Sequence, residues 1–566
     1  MNRTVSRIIT AVALAFLIVD ILGLFVPAKF GTCWLVIPDS LENAFCAETF
    51  LNEGRYGFYL NGVFHPSRYL PWFPLLFLAP FQYLSGDVYG AVYGCWFATA
   101  GLAAVMFISC RQIAVRPGKD GNDDSALGSL AGLLSFPVLL TTSFFIVLTG
   151  YAMTEVPYLL FCIWAMVLWT RLAARPGVGK GTLICCSVLI ALGGAVRSSA
   201  YPMLLLPFVL IFVREKDWKR RFLLWFLCGL PTALALAASS AFNWAVFGSP
   251  FRTGYHYWCP VPYDFMALTF HPKYALSHLP RLLMEKGCWL TLALMAICAA
   301  WYVVSRRARG EKLFAFAPRW TPWEAASAFA LLQGAVIFVL YIFYFYYHKR
   351  MYLPVLVMIL PPAAAAAANL LRVSLRRAWA AHAVLALCVI LLQCVALYNL
   401  DYYHRSIRSI PNDRAKLQVL DTMLPDNAVF LCTFNPSVAD RFLLRGTHRK
   451  IIPVNRIHEY ANETVAPLKV KACDPPPVDA IDMLAPGLLE QPGCFLPLPY
   501  ALSDDPAHLK EILKGDAPVF FATGLNYRAP DEIEDTLEFA ESEKYAEKER
   551  IVVWRMRLKT PDGERQ

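Results

Sequence analysis

About eleven apolar segments recur along this chain, and they constrain its fold more than any other feature of the sequence. Most of them are long enough, as α-helices, to cross a hydrocarbon core about 30 Å thick. Short loops rich in charge separate them. The predicted spans are 8–26, 88–110, 128–148, 156–172, 181–196, 199–213, 222–240, 287–305, 323–346, 351–371 and 379–398.

The composition agrees with a polytopic membrane protein. Hydrophobic residues make up 57% of the 566 positions, charged residues only 17%, and mean hydropathy is +0.45. The formal net charge of +10 is typical of some nucleic-acid-binding proteins. Here, however, lysine and arginine stand in short loops between spans, where they set membrane topology, so nucleic acid is not an expected partner.

The basic loops predict the orientation of the chain. With a cytoplasmic amino terminus, nearly every basic cluster falls on the cytoplasmic side, as the positive-inside rule requires, and His348-Lys349-Arg350 is the exception. This holds only if residues 70–84, with Pro71, Pro74 and Pro80, form an interfacial or re-entrant segment and do not cross. We therefore expect a multi-pass integral membrane protein with its amino terminus in the cytoplasm.

Two domains follow from this topology. Residues 1–398 would form the transmembrane domain, with a long first outer loop at 27–87, and residues 399–566 a soluble extracytoplasmic α/β domain. In the tail, the pattern predicts helices at 413–424, 435–442 and 531–544, the last strongly charged. It predicts strands at 428–432, 451–454, 518–523 and 551–558.

Three acids are candidates for chemistry at the outer face. Asp39 follows the first span, Glu42 comes three positions later, and Glu155 precedes the span at 156–172. A carboxylate at the mouth of a membrane bundle is a functional candidate by default. The alternatives are ordinary: Asp39 as a solvated or helix-capping acid, and Glu155 as a helix-start acid before Pro157.

Several basic residues lie outside against the positive-inside pattern. Arg197 follows an apolar span, Arg68 lies in the first loop, and His348, Lys349 and Arg350 stand at a span junction. Arginines can snorkel from span ends, which is the simpler interpretation. Basic side chains at a membrane surface also suit an anionic phosphate headgroup, which guanidinium groups bind bidentately.

Together these motifs resemble the GT-C superfamily of polyprenyl-phosphate-sugar-dependent glycosyltransferases, in its protein mannosyltransferase, aminoarabinose transferase and Rgt-like branch. The resemblance covers roughly residues 8–400 and rests on short motifs in a shared order. They are Asp39 after the first span, Pro66-Ser67-Arg68-Tyr69-Leu70-Pro71, Thr154-Glu155, the glycine-rich run into Arg197, the block from His348 to Pro354 and the loop from Asn243 to Tyr255. Members often carry a second acid beside the first, whereas Ser40 follows Asp39 here.

The resemblance implies a GT-C-type fold and transfer of a sugar from a polyprenyl-phosphate donor to a lipid, glycan or protein acceptor, with inversion. It favours Asp39 over Glu42 as the base. The donor phosphate would be held by basic side chains, namely Arg197, His348, Lys349, Arg350 and Arg68.

Glu155 would bind the sugar or a divalent metal; no metal cage is evident, and no other cofactor is expected. The loop residues Arg252, Tyr255, Tyr257 and Trp258 would contact the sugar or acceptor, or else anchor the loop in the interface. A transporter or flippase of lipid-linked sugars is the alternative, although no internal repeat supports it.

Overall fold

The computed structural model describes thirteen stretches of the chain, and everything below concerns these residues. They are 3–25, 38–60, 63–114, 125–175, 177–258, 269–312, 320–375, 378–409, 413–432, 436–444, 446–453, 506–524 and 540–559.

Within these stretches, eleven apolar helices match the eleven predicted spans. Eight are long and apolar enough to cross a membrane, and three shorter ones cover the predicted spans at 128–148, 181–196 and 199–213. The spanning helices are α1 (Arg3–Leu24), α4 (Ala91–Ala114), α5 (Ser125–Leu140), α7 (Glu155–Ala174), α8 (Lys180–Val196), α9 (Leu205–Arg214), α10 (Trp218–Phe247), α13 (Lys286–Ala308), α14 (Pro322–Ile342), α15 (Leu353–Ser374) and α16 (Ala378–Ser409).

Smaller elements join them. They are α2 (Pro38–Glu53), β1 (Gly57–Leu60), β2 (Val63–Pro66), α3 (Ala79–Ser85), α6 (Ser143–Leu148), α11 (Gly254–Trp258) and α12 (Pro272–Met284).

Two predicted spans differ in detail from the observed helices. The span at 128–148 ends as a helix at Leu140, because the hydroxyls of Thr141 and Thr142 bond back to the carbonyls of Val138 and Leu139, each over 2.6 Å. The span at 199–213 begins as a 3₁₀-helix over Ser198–Leu204 before α9.

The ends of the spans define two faces. Because successive spans run in opposite directions, α1, α5, α8, α10, α14 and α16 end where α4, α7, α9, α13 and α15 begin, and we call this end the site face. On the opposite, basic face, Arg214 donates to the Leu172 carbonyl over 2.9 Å, and Arg309 pairs with Glu324 over 2.6 Å. Clustered arginines on one face are the pattern that set the predicted topology.

Polar contacts inside the bundle attach α1 to its neighbours. Thr10 and Ser129 share a hydrogen bond of 2.9 Å, and Asp20 accepts one from Gln393 of α16. A buried acid in a span is costly unless a neighbouring helix supplies a partner, and Gln393 does so here.

Residues 70–84 do not form a span. A short π-helix at Pro74–Leu78 leads into α3, and both pack against α2 and α4. Gln82 donates to the carbonyls of Ala44 and Val88 over 2.9 and 3.0 Å. This segment therefore packs against α2 and supports it at the site face.

A mixed sheet forms the carboxyl-terminal domain. Its strand order is β4-β3-β5-β7-β6, with β3 parallel to β4 and β5, and with β7 antiparallel to β5 and β6. The elements are α17 (Asp413–Met423), β3 (Val429–Cys432), α18 (Pro436–Ala439), a π-helix (Asp440–Leu444), β4 (Lys450–Pro453), α19 (Pro506–Lys514), β5 (Val519–Thr523), β6 (Ala540–Lys548) and β7 (Ile551–Leu558). The predicted helices at 413–424 and 435–442 and the four predicted strands are confirmed in position. The proposed division at 398/399 falls inside α16, which continues to Ser409.

The predicted charged helix at 531–544 is wrong for residues 540–544, which lie in the edge strand β6; 531–539 lie outside the described residues. The acidic and basic residues there are exposed, and β7 offers arginines as cross-strand partners, such as Arg555 opposite Glu543. Local helix propensity was outweighed by pairing along an open sheet edge, where charged side chains are common.

Candidate active site

The first turn of α2 is fixed against the turn that precedes α7. Ser40 Oγ accepts a hydrogen bond from the Ala152 backbone N–H over 2.7 Å, and Asn43 Nδ2 donates to the Ala152 carbonyl over 2.9 Å. This reciprocal pair places the backbone of Asp39 beside the segment that leads into Glu155. The Asp39 side chain lies outside the described residues.

Glu42 ties α2 to the segment that follows β2. Its Oε1 accepts from Ser67 Oγ and from the Arg68 backbone N–H, both over 2.8 Å. Its Oε2 accepts from Arg68 Nε and Nη2 over 2.9 and 2.8 Å. Both side chains are buried, so this is a buried ion pair with a fully hydrogen-bonded carboxylate. The structure thus places Arg68 against Glu42.

Glu155 opens α7 between two arginines. Its Oε1 lies 3.1 Å from Arg197 Nη1 and 3.9 Å from Arg350 Nε. Glu155 is only 3% exposed. Its Oε2 makes no hydrogen bond with any described residue, and the approach of Arg197 Nη1 to Oε1 does not have hydrogen-bond geometry. The structure therefore brings together three of the predicted site residues and leaves two buried polar atoms without hydrogen bonds.

A tyrosine from α14 orients Arg197. Tyr341 Oη accepts from Arg197 Nε and Nη2 over 3.1 and 2.9 Å. Close packing of the chain before Arg197 requires glycine, because a Cβ on Gly194 would lie 2.2 Å from the Tyr201 ring. The glycine-rich run thus serves to turn the chain tightly between α8 and the next span.

A second polar layer joins α7, α14 and the segment after Arg197. Gln333 Nε2 donates to Tyr158 Oη and, over 3.0 Å, to the Ser199 carbonyl. Ser199 Oγ donates to Tyr158 Oη over 3.2 Å. All three side chains are buried, so this network fixes the positions of the elements that carry Glu155 and Arg197.

The predicted basic block forms a short turn before α15. His348 Nδ1 accepts from the Arg350 backbone N–H over 3.1 Å and caps the 3₁₀-helix Lys349–Met351. The His348 ring stacks on Tyr346 with centroids 6.2 Å apart. His348 thus shapes the turn, which directs Arg350 towards Glu155.

An apolar cavity of about 880 Å³ opens beside this turn. It lies among α13, α14 and α15, and its polar lining includes Glu285, Lys286, Lys349 and Tyr352. Tyr352 Oη is buried without a hydrogen-bond partner among the described residues. Its apolar lining includes Leu282, Leu292, Met295, Phe338, Leu356 and Ile359. A mainly apolar cavity with two lysines in its lining suits an amphiphile with an anionic head.

The aromatic loop lies on the first outer loop. Tyr255 packs edge-on against Tyr69 with ring centroids 5.8 Å apart. A Cβ on Gly254 would lie 2.1 Å from the Ser67 carbonyl oxygen, so this contact requires glycine. Arg252 is exposed, while the side chains of Tyr257 and Trp258 lie outside the described residues.

Sequence reasoning missed several residues of this site. Tyr341 and Gln333 stand in the span α14, and a glutamine in an apolar span is a signal that could have been used. Ser40 and Asn43 gave no such signal, because short polar residues at a helix start are usually caps. Among the described residues, no group of three or more histidine, cysteine, aspartate or glutamate side chains could hold a metal ion.

These features define a polytopic α-helical membrane protein with a carboxyl-terminal mixed-sheet domain. This fold is similar to that of ArnT from Cupriavidus metallidurans. The crystal structure of ArnT bound to undecaprenyl phosphate matches with a TM-score of 0.54 and 14% sequence identity, over 98% of each chain. The apo state matches with a TM-score of 0.52 and 13% identity, over 96% of this chain and 98% of ArnT. No protein-family model matches, and no curated protein matches. The predicted fold is thereby confirmed.

Proposed function

We propose that this chain is a membrane glycosyltransferase that moves a sugar from a polyprenyl-phosphate donor to an acceptor, with inversion at the anomeric carbon. The shared fold with ArnT, whose structure contains undecaprenyl phosphate, supports the donor class. The reaction takes place at the site face.

The observation that carries the proposal is a pair of buried polar atoms, one on Glu155 and one on Arg197, that make no hydrogen bond with the described residues. Buried polar atoms almost always have hydrogen-bond partners, and exceptions commonly mark functional sites. Glu155 Oε2 and Arg197 Nη1 both lack one among the residues that the structure describes, close to the second arginine Arg350. A sugar phosphate supplies the missing groups: hydroxyls donate to the carboxylate, and phosphate oxygens accept from the guanidinium.

The chemistry is a direct displacement. Asp39 takes the proton of the acceptor hydroxyl or amine as the acceptor atom bonds to the anomeric carbon. The bond from that carbon to the phosphate oxygen breaks, and its electron pair leaves on the lipid phosphate. Arg197, Arg350 and Lys349 stabilise that charge. Glu42 is unsuited to take the proton, because each of its oxygens already accepts two hydrogen bonds.

The lipid chain of the donor occupies the cavity among α13, α14 and α15. Lys349 lines this cavity and belongs to the same turn as Arg350, so the turn brings a cation to the cavity wall. The aromatic loop with Tyr255 and Arg252 lies over the first outer loop, where it contacts the sugar or acceptor.

The composition of the surface glycans and lipids provides the test of this function. Mass spectrometry of surface glycans and lipids is compared in cells with the wild-type chain, with an Asp39→Asn variant and without the chain. We expect one added sugar that depends on the wild-type chain and is missing in the other two. Identical glycans and lipids in all three would contradict the proposal. A lipid-linked sugar that changes membrane side but is not consumed would instead indicate a flippase.

The site face is extracytoplasmic in this proposal, and the carboxyl-terminal domain lies on the same side. We expect a membrane-impermeant maleimide to label Cys473 or Cys494 in intact cells under reducing conditions. Cys473 and Cys494 lie outside the described residues, in the tail that carries the domain. Labelling only after permeabilisation would reverse the orientation and place the reaction in the cytoplasm.

A further inference from the structure

The carboxyl-terminal domain holds α2 through one bidentate ion pair. Arg441 Nε donates to Glu48 Oε2 over 2.9 Å, and Arg441 Nη2 donates to Glu48 Oε1 over 2.7 Å. The two side chains are 26% and 12% exposed. Two parallel bonds between a guanidinium and a carboxylate fix orientation as well as distance. The pair thus defines both where α2 lies and how it is rotated.

The other polar anchors of α2 come from the transmembrane domain. Ser40 and Asn43 bond to Ala152, Glu42 to Ser67 and Arg68, and the Ala44 carbonyl accepts from Gln82. At about 100° per residue, position 48 lies on the opposite side of the helix from position 39. Glu48 is therefore held on the face of α2 away from the position of Asp39.

The contact extends beyond the ion pair. Helix α18 packs against α2 and β1, and the following π-helix, which contains Arg441, also packs against β1. The Arg441 guanidinium lies over the Phe442 ring at 5.6 Å. Burial acts to lower the pKa of Arg441, but its bonds to Glu48 outweigh this and raise that pKa, so the pair stays charged. Since the membrane-side anchors lie in the first half of α2, this contact sets the position of its second half.

We propose that Arg441 is a positioning residue for the transfer reaction: through Glu48, the carboxyl-terminal domain sets the orientation of α2 and hence the position of Asp39 relative to Glu155 and Arg197. This inference rests on the proposed function. It assigns the domain a role in the geometry of the site, since small displacements of a reacting group reduce turnover steeply.

The reactivity of a native cysteine measures whether α2 keeps its position. Cys46 is fully buried on α2, and burial, together with the nearby Glu42, raises the pKa of its thiol well above the usual range. In the seated helix it should react very slowly with maleimide. Peptide mapping by mass spectrometry reads its labelling separately from that of the other cysteines.

The test compares charge reversals at the pair in the full chain, reconstituted in vesicles. Arg441→Glu should raise the labelling rate of Cys46 and lower kcat by about 10²-fold, while KM for the donor changes little. The double variant Arg441→Glu with Glu48→Arg should restore both. Arg557→Glu is the matched control, because Arg557 is a half-exposed arginine of the same domain, on β7, and it approaches the exposed Glu543 only to 3.8 Å. It should change neither quantity.

Two results would overturn the inference: unchanged Cys46 labelling and kcat in Arg441→Glu, or a double variant as impaired as the single. If Arg441→Glu does not fold, Arg441→Lys answers the same question. It keeps the charge but loses the bidentate fork, so kcat should fall and Cys46 should be labelled faster while Cys162, buried in α7, stays unlabelled. Faster labelling of both cysteines would point to general misfolding and against the inference. If the wild type transfers no sugar, the proposed function fails, while Cys46 labelling in the swap series still decides whether Arg441 seats α2.

Discussion

Asp39→Asn is expected to abolish sugar transfer while leaving the protein folded and inserted. Asparagine keeps the shape of aspartate but cannot accept a proton, and a general base contributes roughly 10²-fold or more to turnover. The helix itself is held by Ser40, Asn43 and Glu42, so it should keep its position without the Asp39 carboxylate. The measurement is turnover of the donor by purified protein in vesicles, with melting temperature recorded for each variant.

Glu42→Gln is the matched control for this prediction. An amide at position 42 cannot accept all four hydrogen bonds from Ser67 and Arg68 and leaves the Arg68 charge without its buried partner. We expect a lower melting temperature from this change, because breaking a buried pair costs about 3–5 kcal/mol. If Asp39→Asn keeps more than about a tenth of the activity, the base lies elsewhere, and Glu155, with its unbonded Oε2, is the next acid to test.

The membrane architecture could be predicted because it depends on local signals. Length and hydropathy identify a span without any knowledge of its neighbours, and basic loops order the spans by side. The same holds at some helix ends: Thr321 and Glu324 form a capping box that starts α14, and Pro322 stands at its first position. Where hydroxyls terminate a helix, as Thr141 and Thr142 do, hydropathy gave a span that was too long.

Pairing between distant residues could not be predicted in the same way. The sequence made Glu42 and Arg68 candidate site residues, whereas in the fold they form an ion pair with each other. The residues next to either one in the sequence do not indicate that partner. Glu48 and Arg441 lie in different domains, and their contact depends on how the sheet domain packs on α2. Strand β6 was mistaken for a helix for a related reason, since its stability comes from pairing with β7.

Arg350→Ala is expected to weaken donor binding with little effect on folding. Arg350 approaches Glu155 only to 3.9 Å, whereas Arg197 lies at 3.1 Å and also bonds to Tyr341. Glu155 therefore keeps a partner when Arg350 is lost. A hydrogen bond to a charged group contributes about 1.5–3 kcal/mol, so the Kd for undecaprenyl phosphate should rise by roughly ten- to a hundredfold. Binding of this lipid to purified protein gives the Kd.

Arg309→Ala provides a matched control on the basic face. Arg309 shares Glu324 with Arg306, as Arg350 shares Glu155 with Arg197, and its removal should leave lipid binding unchanged. Arg350→Lys then distinguishes two roles for this residue: binding the phosphate, or anchoring the chain at the membrane surface. A ligand that uses the planar fork recovers only part of the affinity with lysine, whereas a snorkelling side chain is replaced fully. Full recovery with lysine, or an unchanged Kd in Arg350→Ala, would remove Arg350 from the phosphate site and leave that role to Arg197 and Lys349.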